Sequence, residues 1–152
     1  MQKVVERLKE LNLKIATMES CTGGAIANAI TSIEGASDVL EFSAVTYSNK
    51  FKIKLGVNAE TIDKYSVYSM EVAHEMAYNI KEFAGSDIGI GVTGKLKRAD
   101  KNNLQGEDNK VYVSIYYNGI YNDLELTVDK ETRKENKEYI LNKIIDKLIS
   151  FL

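Results

Sequence analysis

The sequence predicts a single α/β domain over residues 1–152, with helices flanking a mixed, largely parallel sheet that ends in an antiparallel hairpin. A chain of 152 residues suits one domain. Short apolar segments with strand character alternate with helical patterns, which is typical of layered α/β proteins. Asn118-Gly119 stands between two such segments and predicts a type I′ hairpin turn, because both central residues of that turn take a positive φ. The hairpin would add antiparallel strands to the edge of the sheet.

The predicted elements follow one another without an internal repeat or a linker. We expect helices at residues 1–12, 25–33, 50–55, 69–83 and 131–152. We expect strands at residues 14–18, 39–47, 87–92, 111–117 and 120–128. Residues 95–110 are polar and lack an apolar period, so this segment is predicted to be a loop.

Apolar spacing predicts which helical side chains face the core. The helix at 69–83 has Ser69 as a suitable N-cap and Gly85 just past its end. The inward positions expected on three of the helices are Val4, Val5, Leu8, Leu11, Val72, Met76, Ile80, Phe83, Tyr139, Ile140, Ile144, Ile145 and Leu148.

Composition and charge argue against several classes of protein. The 20 basic and 22 acidic side chains leave a net charge of −2, so no general attraction to nucleic acid is expected. No apolar segment approaches the roughly 20 residues of a membrane span, and no segment has the pattern of a signal peptide. We therefore expect a cytoplasmic protein without membrane partners. The single cysteine allows no intrachain disulfide, and no residue grouping predicts a metal site or a resident cofactor.

The turn around Ser20 is the first candidate for chemistry. Ser20 follows a predicted strand and precedes a predicted helix, where ligands of α/β sheets bind and where free N–H groups favour negative charge. Gly23 and Gly24 would let a substrate approach the backbone closely. The arrangement suits a nucleophile beside an oxyanion hole, although an N-capping hydroxyl with packing glycines would show the same pattern.

Other candidates are weaker when taken alone. Tyr47 and Lys52 follow a predicted strand. A lysine can act as a general base where its surroundings lower its pKa. The same pattern is also expected for a surface lysine cluster beside a half-buried tyrosine. Thr93-Gly94 could present backbone donors to a ligand or form a plain tight turn. Cys21 could be a reactive thiol at a helix N-terminus, although a lone cysteine is more often a small apolar filler.

Several motifs in one order resemble the CinA C-terminal domain family. The sequence ESCTGG at 19–24 matches that family's signature, and TYSN at 46–49 with Lys52 matches its Y-S-N-x-x-K motif. EGASD at 34–38, LGV at 55–57 and GVTG at 91–94 resemble segments that come between and after these two. The resemblance runs from about residue 3 through the last helix.

The resemblance implies a function as well as a fold. The family hydrolyses the carboxamide of nicotinamide mononucleotide to nicotinate mononucleotide and ammonia, without a metal. Carried over by motif, Ser20 would be the nucleophile, Lys52 its general base and Tyr47 an assisting proton donor. The positions implied in substrate binding are Glu19, Cys21, Thr22, Gly23, Gly24, Asn49, Thr93, Gly94, Lys130 and Lys134. The resemblance also implies self-association as a dimer or higher oligomer, for which the tyrosine-rich strands at 112–121 could supply an interface.

The chain departs from the family pattern after Gly94. The family continues with a glycine- and proline-rich loop, whereas residues 95–110 contain one glycine, Gly106, and no proline. Four basic side chains of this segment could still reach a phosphate, although a solvated loop fits its composition better: Lys95, Lys97, Arg98 and Lys101. Lysine stands at 130 and 134 where the family has arginine, which removes bidentate phosphate recognition.

Two hypotheses follow from these observations. One is an amidohydrolase of pyridine nucleotides, supported by the retained Ser20, Tyr47 and Lys52. The other is a catalytically inactive binding or interaction protein on the same fold, supported by the altered loop. The two differ in geometry, because catalysis needs Lys52 within hydrogen-bond reach of Ser20, whereas an inactive protein is expected to point Lys52 to solvent.

Overall fold

A computed structural model describes residues 1–96 and 104–152. The strands are β1 (Ile15–Glu19), β2 (Leu40–Val45), β3 (Ile88–Gly94), β4 (Lys110–Tyr117) and β5 (Ile120–Thr127). The helices are α1 (Gln2–Glu10), α2 (Ala25–Thr31), α3 (Asn49–Lys54), α4 (Ala59–Tyr65), α5 (Met70–Ala84) and α6 (Arg133–Phe151), with a single 3₁₀ turn at Ala36–Asp38.

The strands form one five-stranded sheet in the order β2-β1-β3-β4-β5. β1 pairs in parallel with both β2 and β3, while β4 runs antiparallel to both β3 and β5. This confirms the predicted mixed sheet with an antiparallel hairpin. Because β1, β2 and β3 run in the same direction, the residues that follow their carboxyl ends meet at one edge of the sheet, where the candidate site lies.

Helices cover both faces of the sheet. α1, α2 and α6 contribute to one apolar cluster, which includes Val5, Ile26 and Ile144. α4 and α5 contribute to a second cluster on the other face. α5 lies close against β3 because Gly89 and Gly91 have no side chain: a Cβ at either position would overlap the backbone of α5. The alternation of glycine with isoleucine in β3 therefore allows this close packing.

The local signals read from the sequence are confirmed at the turns and caps. Ser69 Oγ accepts a hydrogen bond from the N–H of Val72 at 3.3 Å and caps α5. Gly85 ends α5 in the left-handed conformation. Asn118 and Gly119 have φ values of 51° and 77°, as a type I′ turn requires.

Some sequence predictions were wrong. The helix α4 was not predicted, although Asn58 is a recognisable N-cap whose side chain accepts from the N–H of Glu60 at 2.9 Å. Phe83 and Leu11 were expected to be buried but are 62% and 40% exposed. Phe83 lies in the last turn of α5, where its ring packs on Phe42 of the edge strand β2 with the centroids 5.1 Å apart. The apolar period of each of these two helices thus runs one turn further than its buried face.

Among the described residues, no helix is both long and apolar enough to span a lipid bilayer. Of the loop predicted at 95–110, residues 97–103 lie outside the described part of the chain, and with them Lys97, Arg98 and Lys101.

Candidate active site

Ser20 lies directly after β1, in the turn that leads into α2. The turn is closed by the N–H of Gly23, which donates to the carbonyl of Ser20 at 3.0 Å. Gly23 and Gly24 have φ values of 63° and 92°, a left-handed conformation that strains residues with a side chain. The Ser20 side chain is 7% exposed, so its hydroxyl lies beneath the surface at the edge of the sheet.

Lys52 of α3 is buried against this turn, although lysine side chains are usually exposed. Its side chain is 2% exposed, while its neighbours Phe51 and Ile53 are 52% and 42% exposed. Lysine is almost never fully buried unless its charge is compensated, because removing an ammonium from water is costly. A short helix that exposes its apolar residues and buries a lysine indicates a functional reason for that lysine.

The Lys52 side chain connects two of the strand ends. Its Nζ donates to Ser20 Oγ at 3.0 Å and to the carbonyl oxygen of Thr46 at 2.6 Å. Thr46 is itself held in place, because its N–H donates to the carbonyl of Glu19 at 2.8 Å. The strand ends of β1 and β2 thus position the amine and the hydroxyl within hydrogen-bond reach of each other.

The buried carboxylate of Glu19 binds backbone N–H groups at the start of α2. Its side chain is completely buried, and its carboxylate accepts hydrogen bonds from the N–H groups of Gly24, Ile26 and Ala27 at 3.1, 3.2 and 2.9 Å. These donors belong to the start of α2, where backbone N–H groups have no partner within the helix. Glu19 therefore caps α2 and fixes the backbone that carries Ser20. Both carboxylate oxygens of Glu19 are therefore engaged by backbone N–H groups of the protein itself.

Most backbone N–H groups of the turn donate a hydrogen bond within the protein, and in the described part of the chain those of Cys21 and Thr22 are the exceptions among its backbone bonds. Gly23 donates to Ser20, Ala25 donates to Thr22, and Glu19 accepts the next three available donors. Within residues 1–96 and 104–152, the N–H groups of Cys21 and Thr22 are not among the donors of the backbone hydrogen bonds of the turn. They belong to the two residues that follow Ser20 in the chain.

Cys21 has the properties of a packed, unreactive thiol. It is buried in the apolar cluster of α1, α2 and α6. Burial raises its pKa to about 12, although the nearby positive charges of Lys52 and Arg133 oppose this rise. The alternative of a reactive thiol at the helix N-terminus has no support from this environment.

The other residues implied by the motifs range from largely exposed to completely buried. Tyr47 is 67% exposed and not half-buried, while Asn49, the first residue of α3, is half-buried. Thr93 is completely buried and its hydroxyl donates to the carbonyl of Val67 at 2.8 Å, which connects β3 to the segment before α5. Gly94 pairs with Val111 at the end of β3, where an added Cβ would lie 2.5 Å from the carbonyl oxygen of Lys110.

The basic residues that the sequence singled out differ in their exposure. Lys130 is exposed and its ammonium pairs with Asp129 at 3.3 Å, and Lys134 is also exposed. Lys95, proposed as a phosphate contact, is buried and its ammonium pairs with Asp108 at 3.3 Å.

Two basic residues of α6 that the sequence did not single out, Arg133 and Lys137, lie near the turn. A Cβ built on Gly23 would lie 3.2 Å from Lys137 Nζ. Arg133 is close enough to Cys21 for its charge to act on the thiol. Only the packing of α6 against α2 reveals them. In the described part of the chain, no three side chains of the metal-binding types gather into a metal site.

The fold and the site together define an α/β domain with a buried serine–lysine pair at the carboxyl edge of its parallel strands. The chain belongs to the CinA C-terminal domain family, whose sequence profile matches residues 1–152.

Relatives and solved structures agree with this assignment. A competence-damage inducible protein of Clostridium botulinum (strain Loch Maree / Type A3) is 37% identical over 98% of this chain and 35% of its own length. A CinA-like protein of Kosmotoga olearia is 40% identical over 76% of this chain and 28% of its own length. The chain thus spans about a third of the length of these relatives.

The solved structures share the fold over nearly the whole chain. The competence/damage inducible protein CihA from Agrobacterium tumefaciens is 28% identical, with a TM-score of 0.88 over 97% of this chain and 90% of its own. A CinA superfamily protein from Escherichia coli has a TM-score of 0.91 at 24% identity, over 99% of this chain and 87% of its own, and is similar in fold.

Proposed function

We propose that this chain is an amidohydrolase that hydrolyses the carboxamide of nicotinamide mononucleotide, with Ser20 as nucleophile and Lys52 as general base. The observation that carries the proposal is the buried contact between Lys52 Nζ and Ser20 Oγ at 3.0 Å. A lysine pointing to solvent would have favoured an inactive protein. The choice of substrate rests on the family resemblance.

The proposed reaction has two halves. Ser20 Oγ attacks the carboxamide carbon and gives its proton to the neutral amine of Lys52, and the tetrahedral intermediate then expels ammonia with that proton. The resulting ester on Ser20 is attacked by water, which Lys52 deprotonates, and the carboxylate product leaves as the serine regains its proton. The contact supports this role for Lys52, because its Nζ lies within hydrogen-bond reach of the proton that a general base would take from Ser20 Oγ.

The surroundings of Ser20 supply what the tetrahedral intermediate needs. The N–H groups of Cys21 and Thr22 are proposed as the oxyanion hole, since the other donors of the turn are engaged. Glu19 keeps those donors oriented before substrate arrives, so no reorganisation is needed during the reaction. Tyr47 is largely exposed and is proposed to donate its proton to a substrate bound over the turn.

The test is release of ammonia from nicotinamide mononucleotide by the purified protein beside Lys52→Met. The proposal expects turnover by the wild type and a loss of at least about 10³-fold in the variant, with the circular dichroism spectrum unchanged. Equal turnover by the variant would refute the role of Lys52. Absence of turnover by the wild type on this substrate and related amides would refute the enzymatic function.

The second candidate function is a catalytically inactive ligand-binding or interaction protein of the same fold. It is favoured by the replacement of the glycine- and proline-rich loop by the segment 95–110. This candidate expects nicotinamide mononucleotide to bind without ammonia release and with the same Kd in Ser20→Ala. Turnover that disappears in Ser20→Ala would refute it.

A further inference from the structure

We propose that Arg133 and Lys137 of α6 form a phosphate subsite beside the Ser20 turn and hold the phosphate of a mononucleotide ligand there. The identity of the ligand rests on the proposed function. The subsite itself predicts binding of a phosphorylated ligand whether or not the amide is hydrolysed.

Lys137 reaches the turn at a position that has no side chain. Gly23 is exposed and has a φ of 63°, and a Cβ there would lie 3.2 Å from Lys137 Nζ. The ammonium of Lys137 therefore stands against open backbone three residues after the serine. A side chain at Gly23 would crowd both this ammonium and a ligand beside it.

Arg133 adds a second positive charge on the same side of α6. Residues four apart on a helix are neighbours on one face, so Arg133 lies one turn before Lys137. Its charge is one of those that oppose the rise in the pKa of Cys21, the residue after Ser20. The guanidinium is exposed and lies in the first turn of the helix.

Neither cation has an ion-pair partner among residues 1–96 and 104–152: the salt bridges of these residues do not include Arg133 or Lys137. The carboxylates near the start of α6 have other partners, since Glu135 closes a capping box with Thr132 and Asp129 pairs with Lys130. Two like charges four residues apart destabilise a helix, so an anion from outside would relieve this repulsion.

A further unsatisfied group lies in the turn itself. The Thr22 side chain is 1% exposed, and its hydroxyl has no hydrogen-bond partner in the part of the chain that the structure describes. Buried hydroxyls are nearly always bonded, so this group indicates a place that a ligand completes. The guanidinium of Arg133, the ammonium of Lys137 and the hydroxyl of Thr22 are the kinds of donor that bind a phosphate dianion.

The test compares ligands that differ only in the phosphate. Binding of nicotinamide mononucleotide and of nicotinamide riboside is measured calorimetrically in a Ser20→Ala background, which prevents turnover. The test variant is Arg133→Ala with Lys137→Ala. The matched control is Lys143→Ala with Lys147→Ala, which removes the same charge at the same spacing about 15 Å further along α6.

The double variant at 133 and 137 is expected to raise the Kd for the mononucleotide by about 10- to 100-fold and to leave the Kd for the riboside within about twofold. The control should leave both values within about twofold. An unchanged Kd for the mononucleotide in the test variant, an equal loss for both ligands, or an equal loss in the control would overturn the subsite.

Turnover separates this inference from the proposed function. If the wild type hydrolyses the mononucleotide but the test variant has the same KM, the subsite is refuted and the amidase stands. If the wild type binds but never hydrolyses it, and the variant alone loses phosphate-dependent binding, the amidase is refuted and the subsite stands.

Discussion

Glu19→Gln measures how strongly the buried carboxylate holds the Ser20 turn. The carboxylate accepts from the N–H groups of Gly24, Ile26 and Ala27, the first two on the same oxygen. Glutamine can keep the two bonds on that oxygen, but its NH₂ group must then face the N–H of Ala27. One bond is lost and two are weakened, because bonds to a charged acceptor contribute about 1.5–3 kcal/mol and neutral ones about 0.5–1.5 kcal/mol.

The bond count gives a loss of about 3–6 kcal/mol, and the lower cost of burying an amide offsets part of it. We expect a net loss of about 2–4 kcal/mol in the free energy of unfolding. For a domain of this size that corresponds to a fall in Tm of about 4–16 °C. The assay is urea unfolding followed by circular dichroism, with the exposed Glu41→Gln on β2 as control. A Glu19→Gln protein as stable as that control would refute the capping role.

Three other predictions follow from the described contacts. Lys52→Met should lower the free energy of unfolding by about 1–3 kcal/mol in urea, because the buried carbonyl of Thr46 and hydroxyl of Ser20 lose their donor; an unchanged or higher midpoint would show that these two hydrogen bonds add no net stability. Cys21, whose pKa is raised to about 12, should be about 1% thiolate at pH 10, so iodoacetamide should label it only after denaturation, as mass spectrometry would show; rapid labelling of the native protein at pH 8 would contradict its burial. Gly91→Ala should cost about 3 kcal/mol or more in urea unfolding, because its Cβ would overlap the backbone of α5, and an unchanged midpoint would contradict the close packing.

Much of the fold could be predicted because its signals are local. Strand and helix periods, the cap at Ser69 and the turn at Asn118-Gly119 depend on neighbouring residues. The helix α4 was missed although its cap at Asn58 is also local. The errors at Phe83 and Leu11 have another cause, because there an apolar pattern continues beyond the buried face of the helix. Phe83 has the correct period for burial, but it lies in the last turn of α5, and period alone does not reveal where the covering layer ends.

The site was only partly predictable for a similar reason. Ser20 and Lys52 were identified by their motifs, but the burial of Lys52 beside an exposed Phe51 depends on how α3 lies against the strand ends. Arg133 and Lys137 have no motif, and only the packing of α6 places them at the turn. Contacts between elements far apart in the chain are set by the tertiary structure, which residue spacing does not encode.

The most direct test of the serine–lysine pair is a double-mutant cycle on kcat/KM for ammonia release from nicotinamide mononucleotide. Ser20→Ala, Lys52→Met and the double variant are compared with the wild type. Residues that act as one catalytic unit have strongly non-additive effects, so the double variant should be no slower than the worse single variant. Multiplying losses, or full activity in Ser20→Ala, would contradict a serine nucleophile activated by Lys52.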